Sequence, residues 1–419
     1  MTAGGLTVGA EATAAPVRRK RITPVTYLIV VVLAFLVLAA VRTMTGATDL
    51  TSSGTVAAAL TAAVPIALAG LSGMWAERAG VINIGLEGMM VLGTWGAGFA
   101  GYQWGAWAAV FFGLLLGAIG GLLHAVATVT FGVDHIISGV AINLLAPGLA
   151  LYLSKLYFSD APGGGQKQSP PTGDVAHITI PGVSDGLGTI EKKEWFFVSD
   201  LAGLLRGITT NLSLLTVLAA LLIIASWYVL RRTPFGLRLR SCGEAPIAAE
   251  SLGVNVYRYK YAAVVISGAV VGLGGAILAI NSGRFNDGQT GGRGFIGLAA
   301  MIFGNWRAGG LTTGAGLFGY TDAMQLRGES AVHALVLLLG IALLVLAVVQ
   351  FRNRHLVVSG VALVIGAVLV FWFATTDKIP AELVGAAPYV VTILVLALAS
   401  QRLRPPKADG VPYRRGEGG

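Results

Sequence analysis

A single cysteine, Cys242, stands in 419 residues, so the chain can build neither an internal disulfide framework nor a cysteine-based zinc cluster. Charge is scarce too: Asp, Glu, Lys and Arg make up 12% of the residues, against about 25% in an ordinary soluble domain. No Gly-x-x-x-x-Gly-Lys-Ser/Thr phosphate loop occurs, and Gly163-Gly-Gly-Gln-Lys167 lacks its spacing. Nucleoside triphosphate hydrolysis by this chain alone is thereby excluded. The five histidines, His124, His135, His177, His333 and His355, are scattered without metal-ligand spacing. No metal site, bound cofactor or Ser–His–Asp set is expected. His124, inside an apolar run, reads as a hydrogen-bonded packing residue, and Asp134-His135 as a turn.

What the chain has in excess is apolar surface, 55% of its residues. Charge-poor runs fall at Val25–Val41, Thr55–Met74, Glu87–Gly101, Gly105–Thr130, Ile136–Ser154, Leu212–Leu230, Tyr261–Asn281, Gly294–Gly304, Leu311–Met324, Ala334–Phe351, Val357–Thr375 and Pro388–Ser400. A spanning helix needs about 20 such residues, so Gly294–Gly304 is too short to cross alone. The expected fold is an all-α, polytopic integral membrane protein with about 12 crossings, one of them short or broken.

The net charge of +9 does not imply nucleic acid, because the basic residues sit in short loops beside the spans. Placing Arg18–Arg21 inside puts Arg231, Arg232, Arg238, Arg240, Arg258 and Lys260 inside as well. Arg307, Arg352, Arg354 and the basic C-terminal tail then follow. Without a crossing at Gly294–Gly304, Arg352, Arg354 and the tail would lie outside. The N-terminus reads as a retained first span, not a cleaved leader. The resulting division is a cytoplasmic tail at 1–24, a transmembrane domain at 25–401 and a cytoplasmic tail at 402–419. Two connecting loops are long. Residues 158–206 are extracytoplasmic, with a flexible Ala161–Pro171 portion and a short extended piece at His177–Gly182. Residues 231–260 are cytoplasmic and better organised.

The stretch Ser72–Met90 places Glu77, Arg78, Asn83 and Glu87 among four glycines between two apolar runs. Backbone broken at membrane depth persists only where protein or water satisfies its polar groups, and charge there is usually functional. An ordinary inner-surface turn with Arg78 snorkelling to headgroups is the alternative. If Asn83–Glu87 begins a helix, the two residues share a face. With Asn143 they either line a translocation route or hold helices together. Gly117, Gly120 and Gly121, and Gly268, Gly272, Gly274 and Gly275, suit close helix packing.

In the cytoplasmic loop, Pro246 suits a first helical position and Gly253 the residue past a helix end. The helix between them is too short to stand alone in water. It lies either on a partner or on the membrane face of its own chain.

Glu77-Arg-Ala-Gly-Val-Ile-Asn-Ile-Gly-Leu-Glu-Gly-Met-Met90 resembles the signature of permease subunits of ATP-binding-cassette importers. The branch it looks like serves simple sugars, branched-chain amino acids and, most closely, nucleosides. Gly243–Gly253 is similar to the coupling helix of that family, with Gly243, Glu244, Pro246, Ala248, Ala249 and Gly253 as its carried-over positions. Thr233–Arg240, Ser267–Ala276, Gly294–Gly304 and the ending from Pro388 to Tyr413 match in order. The resemblance implies a cytoplasmic ATP-binding subunit that uses ATP and Mg, and an extracytoplasmic solute-binding lipoprotein. It also implies a second permease subunit, a heterodimer rather than a homodimer, in a bacterial cytoplasmic membrane. A nucleoside is the expected cargo, with a monosaccharide, or an ion-coupled secondary transporter, as the alternatives. The hairpin at 334–375 departs from the family pattern; as an even number of crossings, it leaves the tail on the same side.

Overall fold

The computed structural model describes residues 24–376, 380, 386 and 403–416, with side chains from residue 32 onward. The expected run Pro388–Ser400 and the tail at 1–23 lie outside the described residues. The order begins α1 (Pro24–Thr45), α2 (Ser53–Arg78), α3 (Leu86–Trp104), α4 (Ala106–Ala125) and α5 (His135–Tyr157). Between α5 and the next long helix lie α6 (Val183–Glu191) and α7 (Val198–Thr209), flanked by β1 (His177–Ile178) and β2 (Leu212–Ser213). Then come α8 (Leu214–Arg232), α9 (Pro234–Glu244), α10 (Pro246–Ser251), α11 (Val256–Asn281), α12 (Arg293–Phe303), α13 (Ala308–Gln325), α14 (Glu329–Arg352) and α15 (Leu356–Thr375). The two-residue strands pair antiparallel, so the described fold is nearly rather than entirely all-α. Seven of the described helices are long and apolar enough to cross a membrane.

Small residues set the core. A Cβ on Gly117 would lie 2.3 Å from the Gly268 carbonyl oxygen, and one on Gly268 would lie 2.3 Å from that of Gly117. Gly272 meets the Gly113 carbonyl the same way, while Gly275 meets that of Met90. Helices α3, α4 and α11 thus touch backbone to backbone, as the glycine pattern leads one to expect. In lipid, where apolar side chains gain nothing by leaving solvent, close van der Waals packing of this kind drives association. Buried hydroxyls add to it: the Ser72 side chain of α2 donates to the Ser267 carbonyl of α11 at 2.6 Å.

Two elements begin at mid-depth. The chain after α2 unwinds at residues 79–85, and α3 starts only at Leu86. Asn83 is bonded to Ser267, well inside α11. Helix α12 has 11 residues, roughly 16 Å at 1.5 Å per residue, about half the hydrocarbon thickness. It runs alongside α2 in the same direction, Gly297 packing on Gly70, Met301 on Gly73 and Trp306 on Glu77. The expected break at Gly294–Gly304 is this half-helix. One expectation changes: Asn83 and Glu87 do not share a helix face, because Asn83 lies in the unwound segment.

The 158–206 loop also differs from expectation. Ala161–Pro171 is not a loose tether. Its Ser169 is fully buried, with its amide donating to the Phe285 carbonyl and its hydroxyl accepting from the Phe285 amide, both at 3.0 Å. Lys167 and Thr172 extend this pairing to Asp287 and Gly283. Glycine and proline read as looseness in the sequence; here Gly164 packs so closely that a Cβ would lie 2.4 Å from the Phe158 carbonyl oxygen. Helix α7 packs on the start of α2 through Gly207 and on Thr51 through Gly203, α6 rests on α7 with Gly188 against Arg206, and the buried Asp200 pairs with Arg42 of α1 at 2.9 Å.

Candidate functional site

The unwound segment after α2 carries backbone groups that a helix would have satisfied internally, and side chains from three helices now take them. His124 Nε2 bonds the Ile82 carbonyl at 2.9 Å, a contact in which the ring must donate, leaving Nδ1 to accept from Ser138. The Ile82 amide donates to His135 Nδ1 at 3.2 Å. Asn143 bridges across the break: its Oδ1 accepts from the Gly88 amide at 2.7 Å and its Nδ2 donates to the Ile84 carbonyl at 2.9 Å. Lys260 Nζ reaches the Gly80 carbonyl at 3.4 Å. Irregular backbone at depth is permitted under this condition alone, that protein groups replace the missing helix bonds.

Glu87 performs the same service for α12. Its Oε1 accepts from the Gly292 amide at 2.9 Å and its Oε2 from the Gly294 amide at 2.7 Å. These are donors a helix start leaves open, and a carboxylate at that end also complements the helix dipole. Gly294 has to be glycine, because a Cβ there would sit 2.6 Å from the Glu87 backbone. Asn83 is fully buried and donates to Ser267 Oγ at 3.0 Å. The structure therefore engages Asn83, Glu87 and Asn143 in bonds within the chain, gathered around the two mid-depth breaks.

At one end of the bundle the C-terminal segment 403–416 lies across the mouths of several helices. The Ala408 amide donates to the Gly243 carbonyl at 2.9 Å, and the Arg404 amide to Asn305 Oδ1 at 2.9 Å. Gly80 and Gly243 are where this strap, α2 and α9 converge: a Cβ on Gly243 would fall 2.4 Å from the Arg78 carbonyl oxygen. Glu77 accepts from the Trp306 indole at 2.5 Å, while Arg78 donates to the Trp306 carbonyl at 2.6 Å. Asp409 faces Glu77. Burial lifts the Asp409 carboxyl from the usual range to about 7, against the pull of its hydrogen bond to Glu77 and of the Lys260 charge. Further along, Tyr413 packs on Tyr257 with ring centroids 5.3 Å apart, and Arg415 pairs with Glu250 of α10 at 3.2 Å.

Helix α10 starts at Pro246 and is followed by Gly253 at φ +80°, as the sequence suggests. Its two faces differ. Ala249 is buried against Cys242, Val256 and Tyr413, whereas Ile247, Ala248 and Leu252 are exposed, Leu252 by 85%. Gly243 and Glu244 end α9. Burial pushes the Cys242 thiol up to about 11, which leaves it a small packing group at neutral pH.

At the opposite end, a cavity of about 700 Å³ opens between α2, α8 and α11 beneath the α6–α7 cap. Thr61, Asp174, His177, Asn211, Thr216 and Asn281 are among its lining residues. It can offer many hydrogen bonds to an uncharged polar solute, with Asp174 as an acidic group at its rim.

The family described as branched-chain amino acid transport system, permease component, matches residues 55–348. The chain belongs to this permease family. The permease is 34% identical over 358 residues to the nucleoside ABC transporter permease protein NupC of Lactococcus lactis subsp. cremoris, covering 83% of this chain and 93% of that one. It is 34% identical over 373 residues to the guanosine ABC transporter permease protein NupQ of Bacillus subtilis, covering 86% and 97%. The putative glucose ABC transporter permease protein TsgC13 of Haloferax volcanii matches at 33% over 68% and 80%. No solved structure matches. The permease is a multi-pass membrane protein, and the relatives named here are permease subunits of ABC transporters.

Some of the site was visible in residue type and some was not. The sequence flags the Ser72–Met90 break and the α10 helix. It gives no sign that His135 and Lys260 serve the break, that Asp409 returns to Glu77, or that Ala248 and Ala249 face opposite ways. Those contacts join positions far apart in the chain, and no local spacing encodes them.

Proposed function

We propose that the permease is the membrane-spanning subunit of an ABC importer that moves a nucleoside across the bacterial cytoplasmic membrane. The observation carrying this reading is near-full-length similarity, over 93% and 97% of their lengths, to two permeases named for nucleosides and for guanosine. A monosaccharide is the second reading, favoured by the 33% match to a permease named for glucose, over 80% of that chain. Uptake in reconstituted vesicles, competed by unlabelled nucleosides and monosaccharides, separates the two: competition by monosaccharides alone would remove the first reading.

ATP and Mg act in this scheme on a separate cytoplasmic subunit, which docks on α10. The exposed Ile247, Ala248 and Leu252 form the contact, while Gly243, Glu244, Pro246, Ala249 and Gly253 shape the turn that presents them. A second, unlike permease completes the pore. Supporting this, two permeases of Bacillus subtilis named for guanosine match at 34% and 25%. Two of Lactococcus lactis named for nucleosides match at 34% and 23%. Cargo delivered by an extracytoplasmic solute-binding lipoprotein enters at the cavity beneath the α6–α7 cap. Asn83, Glu87 and Asn143 keep the mid-depth breaks in register beside that route.

Twelve crossings, with both termini cytoplasmic, complete the proposal. The alternation of helix directions supports it. Residues 283–303 count as one crossing, made of a descending segment and α12. Ser359 of α15 bonds Ala347 of α14, and His333 stacks on Phe373, so α15 runs back to the end where α14 began. The strap lies at the other end, against Gly80 and Gly243.

A further inference from the structure

Beyond the transport reading, the end of the bundle that carries the strap holds a cleft lined by cations with almost nothing to neutralise them. Two cavities, about 170 and 510 Å³, share Arg78, Arg231 and Arg307 in their walls and so lie side by side. Arg240 lines the smaller part, and Arg404 and Lys407 of the strap line the larger. Glu244 is the one acidic residue among the residues lining either part.

Five elements contribute these groups: the ends of α2 and α8, the body of α9, the α12–α13 turn and the strap. The Arg78 guanidinium donates to the Trp306 carbonyl, a neutral acceptor that leaves its charge in place. Among the described residues, Arg231, Arg240 and Arg307 form no ion pair and no side-chain hydrogen bond, and Arg240 Nε is buried without a partner. Topology alone asks only that basic residues lie near this surface. It does not ask that six converge on one hollow, where like charges repel one another. A convergent set of guanidinium groups is what recognises phosphate, through paired, charge-assisted N–H···O bonds.

We propose that this cleft binds a phosphate-bearing anion, either the headgroup of an anionic phospholipid or a soluble phosphate compound. Bound there, the anion ties the strap to α2, α8 and α9, directly beside α10.

The test uses the full chain in phosphatidylcholine nanodiscs, with thermal unfolding followed by tryptophan fluorescence. Pyrophosphate in the buffer and phosphatidylglycerol in the disc are titrated separately. At least one raises the midpoint, and the concentration needed rises at least about tenfold in Arg307→Gln/Arg404→Gln, since each of the two charge-assisted bonds lost contributes on the order of this factor. Both altered residues are exposed, so the variant is expected to fold. Arg352→Gln/Arg354→Gln, at the exposed α14–α15 turn, serves as the control and keeps the wild-type titration. Response to pyrophosphate alone assigns a soluble phosphate compound, response to phosphatidylglycerol alone assigns the lipid, and response to both assigns the shared phosphate. No response to either anion, or the same titration in Arg307→Gln/Arg404→Gln as in the wild type, overturns the proposal.

Discussion

Replacing Glu87 removes the cap from a helix that begins in the middle of the membrane. Two backbone donors, Gly292 at 2.9 Å and Gly294 at 2.7 Å, lose their acceptor in Glu87→Ala. Hydrogen bonds to a charged group contribute about 1.5–3 kcal/mol each, so both together give roughly 3–6 kcal/mol. Water entering the space left by the side chain holds the loss near the lower bound, about 3 kcal/mol. In Glu87→Gln one carbonyl oxygen still accepts, and the loss falls to about 1.5 kcal/mol. Hydrogen exchange of the first-turn amides of α12 reads this locally, without requiring the whole bundle to unfold. At about 1.4 kcal/mol per factor of ten, Glu87→Ala speeds exchange at residues 292–296 by about a hundredfold and Glu87→Gln by about tenfold. Amides in the middle of α11 keep their wild-type rates in both. Unchanged exchange at 292–296 in Glu87→Ala would refute the capping role. Equal acceleration in α11 would mean general loosening and not a lost cap.

Four other outcomes follow from named contacts. Asp409 holds its proton in the folded chain up to about pH 7, against an ordinary value of 3.8. Docking of the strap is therefore strongest in acid and weakens as pH rises through that window; Asp409→Asn reduces the dependence, as read by protease cleavage of the tail between pH 5 and 8. Ala248→Trp keeps the fold and loses co-purification of the ATP-binding subunit. Ala249→Trp overfills the contact with Cys242 and Tyr413, at about 1–3 kcal/mol, and lowers thermal stability first; the reverse ranking would reverse the assigned faces of α10. Gly272→Val forces α11 off α4, where a Cβ already meets the Gly113 carbonyl at 2.3 Å, so little folded protein accumulates in membranes, and wild-type levels would contradict the packing. On a Cys242→Ser background, a cysteine at Asp185 reacts with an impermeant thiol reagent in intact cells and one at Ser251 does not; labelling of both or neither breaks the proposed orientation.

Much of the membrane architecture was legible because lipid imposes a simple rule, that apolar length equals a crossing. The runs around α2, α4, α8, α11, α14 and α15 declare themselves that way. The glycine faces of α4 and α11 were legible for a related reason, since small residues at helical spacing have no other purpose in an apolar stretch. Less legible were the roles of polar residues. Asn83, Glu87 and Asn143 look like a pathway because polar groups at depth usually are one. Glu87 and Asn143, however, bond backbone groups of segments that the sequence marks only as rich in glycine, and Asn83 bonds the Ser267 hydroxyl. The strap was legible as a basic tail but not as a structural piece, because Asp409 gains its meaning from Glu77, over three hundred residues earlier.

The central claim is tested most directly by reconstituting the permease with its ATP-binding subunit, second permease and solute-binding protein in sealed vesicles. Radiolabelled guanosine uptake is then measured with and without ATP, alone and against an excess of unlabelled nucleosides or monosaccharides. The account predicts ATP-dependent accumulation that nucleosides suppress and monosaccharides leave unchanged. Guanosine uptake that ignores ATP, or that monosaccharides suppress while other nucleosides do not, would contradict it.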